Sequence, residues 1–315
     1  MDMALGNPAA ATGPVTVKLA PLDVPLDLEW GTGAARGGIA AACHGWEGDA
    51  DPLVPPLRLR LDASPTLTGT GGTRMQVDGA IVAIRGPGVL AQAELDEGFA
   101  RCTVSVGYLH NPAALRREVL EPLVLMLLTR RDRTPFHASG FVADGVAVLL
   151  AGRSGAGKSC LASAADVAGF QVLSDDTVFV QLAPALKAWG WPTAAHLLAR
   201  DAPGAAGPTR LRKGKVKHVV SLRSASHAPI ACEQAALCLL SRGDEPALGR
   251  ISPAEARARL WPLDEGFDRL PRQLAKVIDR LSAGGAWDLR LSTDPAAAIR
   301  LLAANLPRLK ESAAS

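Results

Sequence analysis

The chain has 315 residues, of which 48% are hydrophobic, 21% charged and 4% aromatic, with a formal net charge of +3. This length supports two domains, and the composition excludes a disordered or fibrous chain; aliphatic side chains and alanines must fill the cores. A charge so close to neutral gives no argument for nucleic acid or a membrane surface as a partner, and neither is expected.

Val15-Thr16-Val17-Lys18-Leu19, Leu57-Arg58-Leu59-Arg60-Leu61 and Ala80-Ile81-Val82-Ala83-Ile84 alternate apolar and polar residues between Gly and Pro. That period of two predicts strands of a small antiparallel domain over residues 1–110. No periodicity assigns Trp30 to Pro55, where Gly and Ala abound, and a loop is the expectation there. The pattern changes at Asn111-Pro112, an N-cap followed by proline at the first helical position. Leu115, Val119, Leu120, Leu123, Val124 and Leu127 then repeat at helical spacing, which predicts a helix over 113–129 opening a second domain, 111–315. Phe136 to Val142 reads as extended, Asp144-Gly145 as a hairpin turn, and Val146 to Ala151 as a strand. Ser159 to Ala168 reads as a helix capped by Gly169, with strands at 170–173 and 177–180 flanking Ser174-Asp175-Asp176. A strand near 235–240 and helices near 253–260, 271–281 and 295–305 follow. Alternating strands and helices predict an α/β fold for this part.

The five cysteines (Cys43, Cys102, Cys160, Cys232 and Cys238) form no CxxC pair, so neither a disulfide framework nor a zinc site is signalled. Met1 to Pro14 lacks the pattern of a signal peptide, and the longest apolar stretch, Pro122 to Leu128, is far short of the ~20 residues of a membrane span. A cytoplasmic protein with reduced thiols is expected. The basic run Arg210 to His218 reads as a solvated strand edge or as a clamp on a phosphate or an acidic substrate.

The chemistry is carried by Gly152-Arg153-Ser154-Gly155-Ala156-Gly157-Lys158-Ser159, which meets G-x-x-x-x-G-K-[ST] in full between a strand and a helix. Its glycines let backbone N–H groups turn toward anionic oxygens, and the following helix, entered through Cys160, adds its positive end. Lys158 is placed for the β- and γ-phosphates of ATP and Ser159 for Mg²⁺. Asp175 and Asp176, at the end of an apolar strand, are candidates for metal binding and for accepting a proton. Neighbouring side chains on an extended segment point opposite ways, so the two acids are expected to differ in role. His137 precedes the loop and is by itself an ordinary histidine.

Together these residues resemble the catalytic core of HPr kinase/phosphorylase and its relatives, a P-loop group with a phosphoenolpyruvate-carboxykinase-like fold. The shared pattern is a His, a short hairpin, a strand, the loop, a helix ending in Gly, a strand and an Asp pair. Here 21 residues separate His137 from Lys158 and 18 separate Lys158 from Asp176. The resemblance implies Asp176 as proton acceptor, Lys158 and His137 beside the transferred phosphate, Ser159 as a magnesium ligand and Asp175 as a second acid at the metal. Relatives of this fold assemble into oligomers, so a homo-oligomer is expected. No Glu-Val-Arg-Gly-like segment appears between Gln181 and Pro203, where Asp201 lies at a comparable distance, and no Pro-Gly-Arg-Asn-like segment follows. Both departures count against HPr itself as acceptor. Phe136-His137-Ala138-Ser139, Leu173-Ser174-Asp175-Asp176 and Trp261 to Asp268 are similar to the subgroup that includes lasso peptide kinases. That likeness implies a kinase for a Ser or Thr hydroxyl of a peptide or small protein, such as the C-terminal Ser of a lasso precursor. A free-serine-type kinase, or an ATP-binding regulator without phosphotransfer, fits the same loop.

Overall fold

The computed structural model describes residues 14–31, 36–191, 194–201, 207–212, 215–225, 228–260 and 271–313; the Trp261–Asp268 segment and the tip of the basic run fall outside them. The chain divides into two compact units, Met1–Arg131 and Asp132–Ser315.

The first unit is a seven-stranded sheet with helices. Its strands are β1 (Val15–Leu19), β2 (Leu26–Trp30), β3 (Leu57–Ser64), β4 (Arg74–Asp78), β5 (Ile81–Gly86), β6 (Val89–Glu94) and β7 (Phe99–Ser105), ordered β1-β2-β3-β7-β6-β5-β4. The expected antiparallel sheet is in fact mixed, since β3 runs parallel to both β2 and β7. The cause lies in the unassigned segment, where α1 (Arg36–Cys43) makes the crossover that a parallel β2–β3 pair requires. Its glycines and alanines hide it from a periodicity search.

The helical segment after Asn111 belongs to this first unit, which moves the expected boundary from 110 to 131. Here α2 (Val106–Leu109) is followed by α3 (Pro112–Leu115) and α4 (Glu121–Leu128); α3 packs on α1 and α4 on β6. The expected helix is present as one unbroken helical run, α3 continuing into α4 through a π turn at Arg116–Leu120. Pro122 has no N–H for the Glu118 carbonyl, so the ladder widens just ahead of it. The cap is as expected, with Asn111 Oδ1 accepting from Ala114 N–H at 3.1 Å. Asn111→Ala should therefore cost about 1 kcal/mol of stability, read as a lower denaturant midpoint; an unchanged midpoint would show the cap to be idle.

The second unit is α/β, with a mixed sheet as its centre. Its strands are β8 (Thr134–Phe136), β9 (Ala138–Ala143), β10 (Val146–Ala151), β11 (Gln171–Ser174), β12 (Val178–Gln181), β13 (Lys187–Gly190), β14 (Ala194–Leu198), β15 (Thr209–Arg212), β16 (Lys215–Ser221), β17 (Ile230–Cys232), β18 (Gln234–Arg242), β19 (Ala247–Ile251) and β20 (Ala286–Leu291). Six of them form the main sheet, ordered β11-β9-β10-β18-β20-β19, in which β10, β18 and β20 run parallel. Smaller antiparallel sheets are β17-β13-β12-β8 and β14-β16-β15. The helices are α5 (Lys158–Val167), α6 (Pro253–Leu260), α7 (Pro271–Ser282), α8 (Pro295–Ala304) and α9 (Leu306–Ala313).

Strand β10 is buried throughout because both faces carry a core. Val146, Val148 and Leu150 face α5, α8 and α9, whereas Ala147, Leu149 and Ala151 face α6, α7 and the four-stranded sheet. The β9–β10 hairpin turns through Asp144 and Gly145, both with positive φ (49° and 78°), as its sequence predicts.

The expected single extended segment from Phe136 to Val142 is two strands in two sheets. Phe136 pairs with Val178 in one sheet, while Gly140 pairs with Ser174 in the other. Both partners leave the main sheet at the same place, one through His137 and the other through Asp175, Asp176 and Thr177. Close crossing there depends on Gly190, since a Cβ at that position would overlap the Leu173 carbonyl.

Candidate functional site

The crossing just described brings His137 beside Asp176, with His137 Nδ1 3.7 Å from Asp176 Oδ1. Ser174 shapes the bend, its hydroxyl accepting from Asp176 N–H at 3.3 Å and Thr177 N–H at 3.1 Å. Ser139, fully buried on β9, donates to the Lys158 carbonyl at 3.1 Å and so fixes the first turn of α5 against the strand that follows His137. Ser139 and Ser174 thus fix the backbone at Lys158 and at Asp176.

The loop from Gly152 to Ser159 closes on itself through Ala156 N–H donating to the Arg153 carbonyl at 2.9 Å. Gly155 and Gly157 have φ of 83° and 114°, a region that side chains other than glycine enter at a cost. At Gly152 a Cβ would meet Ala156 Cβ at 3.0 Å and Leu240 Cβ at 3.1 Å, so β18 packs directly beneath the loop. Lys158, 6% exposed, donates through Nζ to the carbonyls of Gly152 at 2.6 Å and Arg153 at 3.3 Å, which holds its charge over the loop. Helix α5 begins at Lys158, and its first-turn N–H groups have no acceptor within the helix. This is the cradle that anionic oxygens fit.

A cleft of about 170 Å³ lies over this helix start. His137, Ser154, Gly155, Gly157, Lys158, Ser159, Cys160 and Asp176 line it, while Gly152, Arg153 and Ala156 support the loop without reaching the cleft wall. Asp201 is also on the wall. Asp175 is not, because it is buried behind the wall. Its Oδ2 accepts from His196 N–H at 2.9 Å, pairs with His196 Nδ1 at 3.1 Å and lies 3.5 Å from Ser159 Oγ. The two acids are placed differently, with Asp176 facing the cleft and Asp175 contacting His196 and Ser159 behind it. Ser159 Oγ and Asp175 Oδ2 form a pair of hard oxygen donors. Among the described residues no group of three His, Cys, Asp or Glu stands close enough to hold a metal unaided. Such a donor set fits a cation like Mg²⁺, which takes few protein ligands and completes its shell with phosphate and water.

Three residues on the cleft were not singled out from the sequence: His196, Lys217 and Arg242. Lys217 lies in the basic run, and of that run's described side chains it alone reaches the cleft. Arg242 ends β18, and the rule that open α/β sheets bind ligands beyond the carboxyl ends of their strands points to it. His196 sits mid-strand in β14 with no motif around it.

The five cysteines form no disulfide. Burial pushes the Cys238 thiol up to about 12, and it does the same for Cys43 against the opposing charge of Arg116, so neither is a nucleophile near neutral pH. Among the described residues no helix is long and apolar enough to cross a membrane.

No protein-family model and no curated protein matches the chain. Among solved structures it is similar to the HPr(Ser) kinase/phosphatase from Coxiella burnetii, at 14% sequence identity and a TM-score of 0.29, over 57% of this chain and 99% of that one.

Proposed function

We propose that the protein is an ATP- and Mg²⁺-dependent kinase for a Ser or Thr hydroxyl of a peptide or small protein. The observation that carries this reading is the placement of Asp176, paired with His137, on the same cleft wall as the glycine loop, Lys158 and Ser159. A site that only bound nucleotide would need the loop but not an acid and a histidine converging on it.

Residues Gly152, Arg153, Ser154, Gly155, Ala156, Gly157, Lys158, Ser159 and Cys160 form the nucleotide cradle. Ser159, backed by Asp175, would hold Mg²⁺, which when bound offsets charge on the β- and γ-phosphates. Asp176 takes the proton of the acceptor hydroxyl. The hydroxyl oxygen bonds to the γ-phosphorus as the bond to the β–γ bridging oxygen breaks, and ADP leaves. Lys158 stabilises the charge that develops, and His137 orients the Asp176 carboxylate. The likeness of the two tetrapeptides to lasso peptide kinases makes a precursor ending in Ser the first acceptor to try.

The test is to incubate the protein with ATP, Mg²⁺ and peptides ending in Ser, or with free serine, and to look by mass spectrometry for an acceptor that gains one phosphate. A peptide that gains phosphate with the wild type and not with Lys158→Ala supports the reading. Phosphate on free serine alone would move the acceptor to a small molecule. ATP binding with no phosphorylated product from any acceptor would leave a nucleotide-binding regulator instead.

A further inference from the structure

We propose that Arg242 grips the nucleoside-side phosphates of the bound nucleotide and so sets the affinity for ADP and ATP alike; this rests on the cleft being an ATP site. The main sheet is ordered β11-β9-β10-β18-β20, with the loop following β10. The residues next to β9 and β11, namely His137, Asp175 and Asp176, all lie on one flank of the loop. Arg242, the last residue of β18, lies on the opposite flank. The γ-phosphate must stand beside Asp176 for transfer. A phosphate chain laid across the loop then leaves it on the β18 side, so the phosphates nearest the nucleoside meet Arg242.

The guanidinium is placed to receive them. Nη2 lies 3.5 Å from the Gly155 carbonyl and Nη1 3.5 Å from the Ser292 carbonyl, at the long limit for hydrogen bonds. A Cβ on Gly157 would come within 3.5 Å of Nη2, so the group stands over the start of α5. Arg242 is exposed on the cleft wall, and among the described residues no carboxylate pairs with it. A planar cation with several donors, beside a helix start that already favours anions, suits bidentate contact with phosphate oxygens.

The experiment is equilibrium binding of ATP and ADP, each with Mg²⁺, to the wild type, Arg242→Gln, Arg242→Lys and Lys158→Ala. Arg242→Gln should weaken both nucleotides by about tenfold and leave the ratio of their affinities unchanged, with Arg242→Lys losing less. Unchanged affinity for both nucleotides, or weakening of ATP alone, overturns the proposal, the second by placing Arg242 at the γ-phosphate. Should the wild type bind ATP no better than Lys158→Ala does, the nucleotide reading falls and takes this one with it. Should the wild type bind well and Arg242→Gln match it, only the role of Arg242 falls.

Discussion

Replacing Asp176 with Asn should slow phosphate transfer to a peptide acceptor by about a thousandfold while leaving ATP affinity close to that of the wild type. The substitution keeps the size of the side chain and removes its ability to take a proton. Asp176 is 29% exposed at the cleft, where an acceptor hydroxyl can reach it, and its backbone N–H is already held by Ser174. The bend therefore survives the substitution, and the glycine loop is untouched. Asp175→Asn should behave differently, because its carboxylate oxygen accepts from His196 and lies beside Ser159. Its loss disturbs the Ser159 hydroxyl and the cleft wall together, so if Ser159 holds Mg²⁺ as proposed, magnesium dependence should change along with rate. Single-turnover transfer and ATP titration, compared between the two variants, separate these roles. Equal transfer by Asp176→Asn and the wild type would remove Asp176 as the base.

What could be read from the sequence was whatever a short window encodes. The Asp144-Gly145 turn, the Asn111 cap, the strand–loop–helix around Lys158 and the C-cap at Gly169 each depend on a few neighbouring residues, and the structure has them as expected. The order of charged residues about the loop was legible through spacing, since a hairpin and one helix of fixed length separate His137, Lys158 and Asp176. What failed was non-local. The switch of β8–β9 and β11–β12 between sheets leaves no trace in alternation, because both halves of each segment remain buried and extended. His196 and Lys217 reach the site only because β14 pairs with β16, and partner choice between strands is not written in either strand alone. The domain boundary was misplaced for a related reason. A helix pattern gives its apolar face but not the sheet that covers it, and α4 is covered by β6.

The wall that carries His196 and Lys217 should come loose in Asp166→Ala, at a cost of about 2–3 kcal/mol. Asp166 stands in the last turn of α5, where a negative charge is disfavoured by the helix dipole, so its presence there calls for compensation. Its carboxylate accepts from Arg223 N–H at 2.7 Å, Ser224 N–H at 2.8 Å and Ser224 Oγ at 2.8 Å, and Ser224 Oγ in turn accepts from Val172 N–H at 3.2 Å. One buried acid thus ties the turn after β16 to α5 and to β11, while Leu197 of β14 packs with Ala162 of α5. Burial raises the Asp166 pKa, but the hydrogen bonds from Arg223 and Ser224, with the charge of Arg223, outweigh it and hold the group below the ordinary carboxylate range. A carboxylate depressed in the folded state adds stability that is fully present above its unfolded value, about 3.9, and is lost as pH falls through the folded value. The melting temperatures of the wild type and Asp166→Asn, which cannot ionise, should therefore differ at neutral pH and converge only as the pH drops below about 4. A gap that stays constant into that acid range would mean that the charge of Asp166 contributes nothing and that the turn is held by packing alone.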